Sequence, residues 1–278
     1  ASNNTAVGRD SSKANTTGTL LVSVGAYSLT ANTTGIRNTA IGYESMSANT
    51  TGSHNTAVGT YALATPSTSN ESTAVGYYAC KAATTGSRNV GIGVSALTAG
   101  TTGSSNVAVG AFAGKALTTG GDNVAVGYDA LSTQTTGSNN TALGREALKL
   151  NTTGSANIAV GNYALDANTT GADCVAIGYG ALGASNANNN TAVGRDALNA
   201  NTTGANLVAV GRKALTANTT GNYNVAIGQG ALQTVTTASD NTAVGNDALN
   251  LNTTGASNVA VGLNALDTNT TGSRCTAV

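Results

Sequence analysis

Tryptophan is absent from this 278-residue sequence, and proline, phenylalanine and histidine each occur once. Aromatic residues make up 4% of the chain, charged residues make up 9%, and the formal net charge is zero. A thick globular core therefore has few large side chains to form from. The neutral balance argues against nucleic acid or an anionic membrane as a partner, because both attract basic proteins. No apolar run approaches the length of a membrane span.

The residues that are plentiful favour regular β-structure. Apolar residues reach 40% of the chain, most of them Ala, Val and Leu, and there are 36 glycines. Disordered chains contain few β-branched residues and usually carry a high net charge. This chain is neutral and dense in Val, Ile and Thr, so we expect β-structure around a thin, continuous core.

One 17-residue pattern repeats along the whole chain. It is seen in residues 38–52, which read N-T-A-I-G-Y-E-S-M-S-A-N-T-T-G. We number each coil from the glycine of the N-T-A-I-G segment as position 0, and the residues before it as −4 to −1. The step between these glycines is 17 residues except once, between Gly178 and Gly194, where it is 16. A fixed short period is typical of solenoids, so we predict an all-β parallel β-solenoid (a β-roll or β-helix) of about sixteen coils, with residues 1–278 as one continuous repeat domain.

Two sets of residues are predicted to shape the coil. The position-0 glycines should form its corners, where positive φ or close backbone approach is needed; they are Gly8, Gly25, Gly42, Gly59, Gly76, Gly93, Gly110, Gly127, Gly144, Gly161, Gly178, Gly194, Gly211, Gly228, Gly245 and Gly262. Stacked asparagines at −4 should form an internal amide ladder; they include Asn55, Asn89, Asn106, Asn123, Asn140, Asn157, Asn224, Asn241 and Asn258. The Thr-Thr pair at +8 and +9 should point its side chains to opposite faces, because the residues are adjacent.

The charged residues show which positions face water. All 24 lie at +1, +2, +5 or +12, and burial of an unpaired charge is costly. The strand at −4 to 0 is never charged and is apolar on both faces, a pattern typical of strands covered on both sides. One coil has only one interior, so we expect identical parallel chains to cover the second face. A homotrimer is the natural closed arrangement, although the period does not fix the number.

Motifs for catalysis, cofactors or metals are weak. Residues 178–183 match G-x-G-x-x-G by chance in a glycine-rich repeat whose flanks are not β-α-β. His54 has no partner for a metal or catalytic site, and the acidic residues are scattered. We therefore predict no enzyme, no cofactor and no metal. Cys80, Cys174 and Cys275 lie too many coils apart for intrachain disulfides. Cys174 and Cys275 replace the −4 asparagine and should be buried thiols, with contact to a symmetry-related chain as the alternative.

Other departures from the repeat have modest interpretations. The changes at residues 66–69 and 185–189 and at Ala238 are predicted to be local loop variants, with contact to a receptor as the alternative. The N-T-T sequons follow from the coil period. Tyrosines at +1 or +2 are expected to pack over the next coil, with contact to glycans or a receptor as the alternative; they are Tyr27, Tyr43, Tyr61, Tyr77, Tyr78, Tyr128, Tyr163 and Tyr179.

The N-[TSV]-A-[VI]-G strand followed by short, glycine-punctuated coils resembles the repeats of trimeric autotransporter adhesin heads of the YadA type. The longer pattern N-T-A-[VIL]-G-x-x-A-L-x-x-N-T-T-G is more similar still to the repeats of phage tail fibres and related bacterial surface fibres. The resemblance covers the whole chain. It implies a left-handed parallel β-roll wound as a trimer, and it names no receptor.

These observations predict a structural fibre or adhesin shaft, a stiff spacer at the cell or virion surface that contributes to attachment. The pattern begins and ends within a repeat, so we expect a segment of a longer fibre. One alternative is an ice-binding solenoid that uses a threonine rank, although opposite-facing threonines would weaken it. A second is an extracellular filament subunit that polymerises head to tail. An enzyme with a shallow groove would need an acid–base cluster that the sequence does not contain.

Overall fold

The computed structural model describes residues 2–65 and 68–278. The chain is a parallel β-solenoid of about sixteen coils, and its described residues form short strands and turns with no helix. It falls into two compact units, Ala1–Asn139 and Asn140–Val278. The predicted fold class is confirmed.

Each strand lies within positions −3 to −1 of one repeat, where the commonest sequence is T/V-A-V/I. In the first unit these are β1 (Thr5–Val7), β2 (Val22–Val24), β3 (Thr39–Ile41), β4 (Thr56–Val58), β5 (Thr73–Val75), β6 (Val90–Ile92), β7 (Val107–Val109) and β8 (Val124–Val126). In the second unit they are β9 (Thr141–Leu143), β10 (Ile158–Val160), β11 (Val175–Ile177), β12 (Thr191–Val193), β13 (Val208–Val210), β14 (Val225–Ile227), β15 (Thr242–Val244), β16 (Val259–Val261) and β17 (Thr276–Ala277).

Within each unit, consecutive strands pair in parallel with equivalent residues opposite one another. Ala40 of β3 lies opposite Ala57 of β4, and Ala159 of β10 lies opposite Ala176 of β11. A register slip of one residue would turn the buried alanine outward, so the repeat fixes the register.

Hydrogen bonding between coils continues outside the strands. The Leu29 amide donates to the carbonyl of Ser45 at 3.0 Å, and the Thr33 amide donates to the carbonyl of Thr50 at 2.9 Å. The Tyr27 amide donates in the other direction, to the carbonyl of Arg9 at 2.8 Å. Because the turns are bonded to their neighbours in this way, buried backbone groups find partners all around the coil.

The core of each coil is thin. Ala57, Ala62 and Leu63, at −2, +3 and +4, are completely buried, and equivalent residues occupy the same positions in other coils. Asparagines at −4 and +7 complete the interior. The thin core of Ala and Leu expected from the composition is therefore present. The buried asparagines add a polar part to this core, which the composition did not indicate.

Three positions per coil have positive φ and, apart from Gly114, Gly180 and Gly230, hold non-glycine residues. They are +2, +4 and +12, represented by Glu44 (51°), Met46 (51°) and His54 (62°). Left-handed backbone costs an L-residue about 1–2 kcal/mol, so this strain recurs in every coil. It allows seventeen residues to close one turn while apolar side chains at +4 point into the core.

The 16-residue coil keeps the strand register. Val175 of β11 lies opposite Thr191 of β12, and Ala176 lies opposite Ala192. The missing residue is absorbed in the segment 185–189, where Asn186 Oδ1 accepts hydrogen bonds from the Thr169 amide and from Thr169 Oγ1, the latter at 2.9 Å. The side chain thus supplies the acceptor that a backbone carbonyl supplies in regular coils. In the other variant coil, residues 66 and 67 lie outside the described residues.

Candidate functional site

The two faces of every strand differ sharply in burial. The alanine at −2 faces the interior and is inaccessible, as at Ala108 and Ala159. The residues at −3 and −1 face outward and are half-buried or exposed. Ile92 and Leu143, both at −1, are 38% and 47% exposed. We call the outward residues at −3 and −1 the apolar ribbon.

The apolar ribbon is uniform in chemistry. Position −3 holds Thr, Val or Ile, position −1 holds Val, Ile or Leu, and neither position carries a charge in any coil. Within each unit, parallel pairing in register aligns these side chains from coil to coil. The single chain leaves this face partly open, which is unusual for a contiguous row of branched apolar side chains.

The position-0 glycines sit where the backbones of adjacent coils approach closely. Gly42 has a φ of 131°, and a Cβ placed there would lie 2.7 Å from the carbonyl oxygen of Gly59. Gly110 has a φ of 133°, and a Cβ there would lie 2.5 Å from the carbonyl oxygen of Gly127. Both the φ value and the close approach exclude other residues.

The −4 asparagines are buried and bond mainly to backbone groups. Asn140 Oδ1 accepts the Asn157 amide at 2.9 Å, and Asn140 Nδ2 donates to the Gly154 carbonyl at 2.9 Å. Direct bonds between side chains join only some neighbours, such as Asn123 Nδ2 to Asn106 Oδ1 at 3.1 Å. Asn140 therefore ties its strand both to the next strand and to the +10 corner of its own coil.

A second asparagine ladder lies at +7 and was missed in the sequence. Asn49 Nδ2 donates to Asn32 Oδ1 at 2.9 Å, and Asn218 Nδ2 donates to Asn201 Oδ1 at 3.0 Å. The available signal was the recurrence of asparagine at a position that never carries charge. Burial also removes most N-T-T sequons from reach of glycosylation in the folded chain; the fully buried ones are Asn32, Asn49, Asn151, Asn168, Asn201, Asn218 and Asn252.

The +7 position lacks asparagine in five successive coils, where it holds Pro66, Ala83, Gly100, Leu117 and Gln134. The middle three of these coils place Ala83, Gly100 and Leu117 at this position. A small void of about 10 Å³ remains there, lined by these residues and by Cys80 and Asn106 among others. The void has about the room of one water molecule.

The expectation that the Thr-Thr side chains point to opposite faces is wrong. Thr101 at +8 is half-buried and Thr102 at +9 is exposed, while Gly103 after them is buried. No described threonine at +8 or +9 is buried. The pair lies on a bend rather than in a strand, so the strand rule of alternating faces does not apply. The +8 hydroxyl is held in place, since Thr101 Oγ1 donates to the Thr118 carbonyl at 3.2 Å.

The tyrosines at +1 and +2 pack on one another across coils and also remain accessible. The ring centroids of Tyr27 and Tyr43 are 5.9 Å apart, and those of Tyr43 and Tyr61 are 5.6 Å apart. Tyr43 is still 42% exposed. A hydrogen bond to Glu44 is the main cause that raises the pKa of Tyr43 to about 12.

The cysteines are free thiols in different surroundings. Burial raises the pKa of Cys80, a core residue at +4, to about 12. Burial likewise raises the pKa of Cys174, whose Sγ donates to the Ala187 carbonyl at 3.2 Å. Cys275 is only half-buried, so the predicted buried thiol holds for Cys174 more fully than for Cys275.

The remaining sequence motifs have ordinary structural surroundings. His54 is exposed, and its Nε2 lies 3.1 Å from Nη1 of Arg37. Residues 178–183 lie in the turns that follow β11, and no helix follows them in the described chain. Within residues 2–65 and 68–278, no three His, Cys, Asp or Glu side chains are grouped so that they could hold a metal ion. That same part of the chain contains no helix with the length and apolar character needed to cross a membrane.

No protein-family model matches this chain. Comparison with curated protein sequences finds no match either. The likeness to fibre and adhesin repeats therefore stays a prediction, and the function has to be argued from the surfaces described above.

Proposed function

We propose that this chain is a non-enzymatic structural segment, the shaft of a fibre or adhesin that assembles from identical chains and works outside the cell or on a virion. The observation that carries the proposal is the apolar ribbon, which is partly open to water in the single chain and free of charge in every coil. Removal of apolar surface from water is worth about 25 cal/mol per Å², and the ribbon repeats this gain at each coil.

An identical chain is the partner that fits the ribbon best. Equivalent residues recur at a fixed step, so a second copy in parallel alignment presents matching side chains to every coil. Three copies with their ribbons turned toward one axis would close the arrangement and leave no ribbon exposed. The charged positions +1, +2, +5 and +12 would stay in water, where unpaired charges belong.

The mechanical role follows from the bonding between coils. Backbone amides donate to adjacent coils both inside and outside the strands, as in the amide of Thr39 to the carbonyl of Asn55 at 2.9 Å. Two internal asparagine ladders add further cross-links between coils. Such a chain resists local opening and proteolysis, which suits a spacer that holds an attachment site away from a surface.

Sedimentation equilibrium of the native particle tests the proposal. A trimer of 27.0 kDa chains has a mass of about 81 kDa. The variant Ile92→Glu places a charge in the ribbon and should shift the particle toward the monomer, because the carboxylate would be buried without a partner. His54→Glu is the control, since position +12 already holds Glu71 in the next coil. A wild-type particle of 27 kDa that stays folded would overturn the proposal, and concentration-dependent filaments would indicate head-to-tail polymerisation instead.

A second candidate function, ice binding, is favoured by the position of the threonines. Both members of each pair lie on the outer side, and positions +6 to +11 carry no charge in any coil. The +8 hydroxyls of Thr84, Thr101 and Thr118 are fixed by donation to the next coil at 2.9, 3.2 and 3.0 Å. In-register strands repeat about every 4.8 Å, so the methyl and hydroxyl groups form a regular array that could order water.

Thermal hysteresis of a solution of the protein tests ice binding. We expect the double variant Thr102→Lys/Thr119→Lys to abolish any hysteresis, because two ammonium groups would break the uncharged array. Ser105→Lys is the matched control at +12, where Arg88 stands in the preceding coil. Absence of hysteresis in the wild-type chain would remove this candidate and leave the shaft proposal untouched.

A further inference from the structure

Five of the nine tyrosines in the chain occur in four consecutive coils. They are Tyr27, Tyr43, Tyr61, Tyr77 and Tyr78, which we call the tyrosine ribbon. All occupy +1 or +2, the edge of the coil just past the position-0 glycine. In most coils of the second unit the same positions hold charged pairs or polar residues, as at Arg145 and Glu146. The tyrosine ribbon is therefore a local departure from the repeat.

The rings form one continuous row. Centroid distances are 5.9 Å from Tyr27 to Tyr43, 5.6 Å from Tyr43 to Tyr61, and 5.2 Å from Tyr61 to Tyr78. Tyr77 lies beside Tyr78 at 4.0 Å. The spacing follows the coil repeat, which is close to the advance per sugar in an extended β-linked polysaccharide.

The rings of the row differ in access. Arg9 lies over the Tyr27 ring at 5.4 Å, and Lys81 lies over the Tyr78 ring at 4.2 Å, so cations occupy ring faces at both ends. Tyr43 and Tyr77 remain 42% and 46% exposed. These two rings supply accessible aromatic surface of the kind that packs against the C–H groups of a pyranose.

Polar groups accompany the rings. An open recess of about 470 Å³ is lined by Tyr27, Thr30, Tyr43, Glu44 and Ser47. The hydroxyls of Thr30 and Ser47 donate to backbone carbonyls, at 2.6 Å to Tyr27 and 3.2 Å to Ala64, so their lone pairs remain to accept from a ligand hydroxyl. Glu44 adds a carboxylate acceptor in the middle of the row.

This edge stays in water in the assembly proposed above. Equivalent positions in other coils hold Arg9, Arg145 and Arg195 at +1, and burial of that edge between chains would strand those charges. The tyrosine ribbon is thus available to a ligand whether the chain is a monomer or a trimer.

We propose that the tyrosine ribbon binds an extended neutral glycan along its length, with Tyr43 and Tyr77 as the stacking platforms and Glu44 accepting hydrogen bonds from sugar hydroxyls. A neutral chain is favoured because the row carries charges of both signs, with Arg9 and Lys81 at its ends and Glu44 in its middle, and so does not select a polymer of one charge. The inference goes beyond the shaft role and does not depend on it, because the glycan site and the apolar ribbon occupy different positions in the coil.

Isothermal titration of the full chain with cellohexaose, chitohexaose and xylohexaose, and with an acidic hexagalacturonate for comparison, tests the proposal. We expect at least one neutral hexasaccharide to bind, and Tyr43→Ala/Tyr77→Ala to weaken its binding about tenfold or more, as expected when two aromatic contacts are lost. Tyr179→Ala is the matched control, because Tyr179 is also at +1, is 52% exposed and pairs with Tyr163 at 5.7 Å.

Circular dichroism and the native mass of each variant show whether it is folded. If the double variant does not fold, Tyr77→Ala alone replaces it and should still weaken binding several-fold. The proposal is overturned if no neutral hexasaccharide binds the wild-type chain, if only the acidic one binds, or if Tyr179→Ala loses as much affinity as the ribbon variant. A change in the native mass without a change in glycan binding would concern the shaft proposal alone.

Discussion

The side-chain amide of Asn218 donates to Oδ1 of Asn201 at 3.0 Å, yet its own Oδ1 is buried and accepts no hydrogen bond. The reason lies one coil further on, where the +7 position holds Val235 instead of asparagine. The ladder therefore ends on an unpaired acceptor inside the core. A buried polar group without a partner costs about 1–3 kcal/mol.

We expect Val235→Asn to stabilise the second unit by about 1 kcal/mol, because its amide would donate to Asn218 Oδ1 and continue the ladder. The measurement is the midpoint of denaturant unfolding. Val235→Leu is the control, since leucine has nearly the shape of asparagine but cannot donate. An equal gain from leucine would mean that packing, and not the unpaired acceptor, sets the stability at this position.

The void beneath Gly100 predicts a second stabilising change. A Cβ at Gly100 would lie 3.4 Å from the Leu97 carbonyl oxygen and 3.6 Å from that of Leu117, which are ordinary contacts, and φ is not in the left-handed region. Gly100→Ala should therefore stabilise the first unit by about 0.4–1 kcal/mol.

Gly103→Ala provides the contrast, because its Cβ would collide with the carbonyl of Gly120 in the next coil. We expect a lower thermal midpoint for this variant and a higher one for Gly100→Ala. Destabilisation by both changes would show that the void cannot accept a methyl group.

The short coil predicts a requirement for an acceptor at residue 186. Asn186→Ala removes the oxygen that accepts from the amide and hydroxyl of Thr169, and should destabilise this coil by about 0.5–1.5 kcal/mol. Amide exchange at Thr169 should become faster in that variant. Asn186→Asp keeps the oxygen and should exchange close to the wild-type rate; fast exchange in both variants would contradict the role given to this atom.

The thiols predict a graded reactivity. Burial raises the pKa of Cys80 to about 12 and also raises the pKa of Cys174, so both thiols ionise at a higher pH in the folded chain than an exposed thiol does. We expect the folded chain to react with a disulfide reagent only at the half-buried Cys275, and the unfolded chain to react at all three cysteines.

The raised pKa of Cys80 also determines the direction in which the stability of the fold changes with pH. The folded pKa of Cys80 lies above the unfolded value, so its contribution to stability is complete below about pH 9 and is lost as the pH rises toward 12. The measurement is the unfolding midpoint from pH 8 to 11 for the wild type and Cys80→Ala, and the wild type should lose more over that range. Parallel curves would contradict the assignment.

Much of the fold could be predicted from the sequence. The glycine at 0 indicates where the backbone turns a corner, and the charges at +1, +2, +5 and +12 indicate which positions face water. The strands at Thr39–Ile41 and its equivalents follow from the same pattern. Other features have no local signal of that kind. Leucine at +4, such as Leu29 with φ of 46°, takes a left-handed conformation that its residue type disfavours, and only closure of the coil explains it.

The threonine pair shows the limit of a rule applied in the wrong context. Alternation of faces holds in a strand, whereas Thr101 and Thr102 lie on a bend. The candidate surfaces could be predicted in part from the sequence. The uncharged −3 and −1 positions indicated an outward apolar face, and the tyrosines could be assigned to one edge of the coil from their positions in the repeat. The contacts between tyrosine rings over four coils could not be predicted, because they depend on how the coils are aligned in space.

In-register pairing also bears on how such a chain changes its length. Within each unit, a strand pairs with the strands before and after it, and equivalent residues face each other, as Val90 faces Val107. Removal or duplication of one whole coil would therefore restore the same contacts at the new junction. A regular coil is 17 residues long. A gene that gains or loses seventeen codons would therefore keep its reading frame and change only the number of coils in the solenoid.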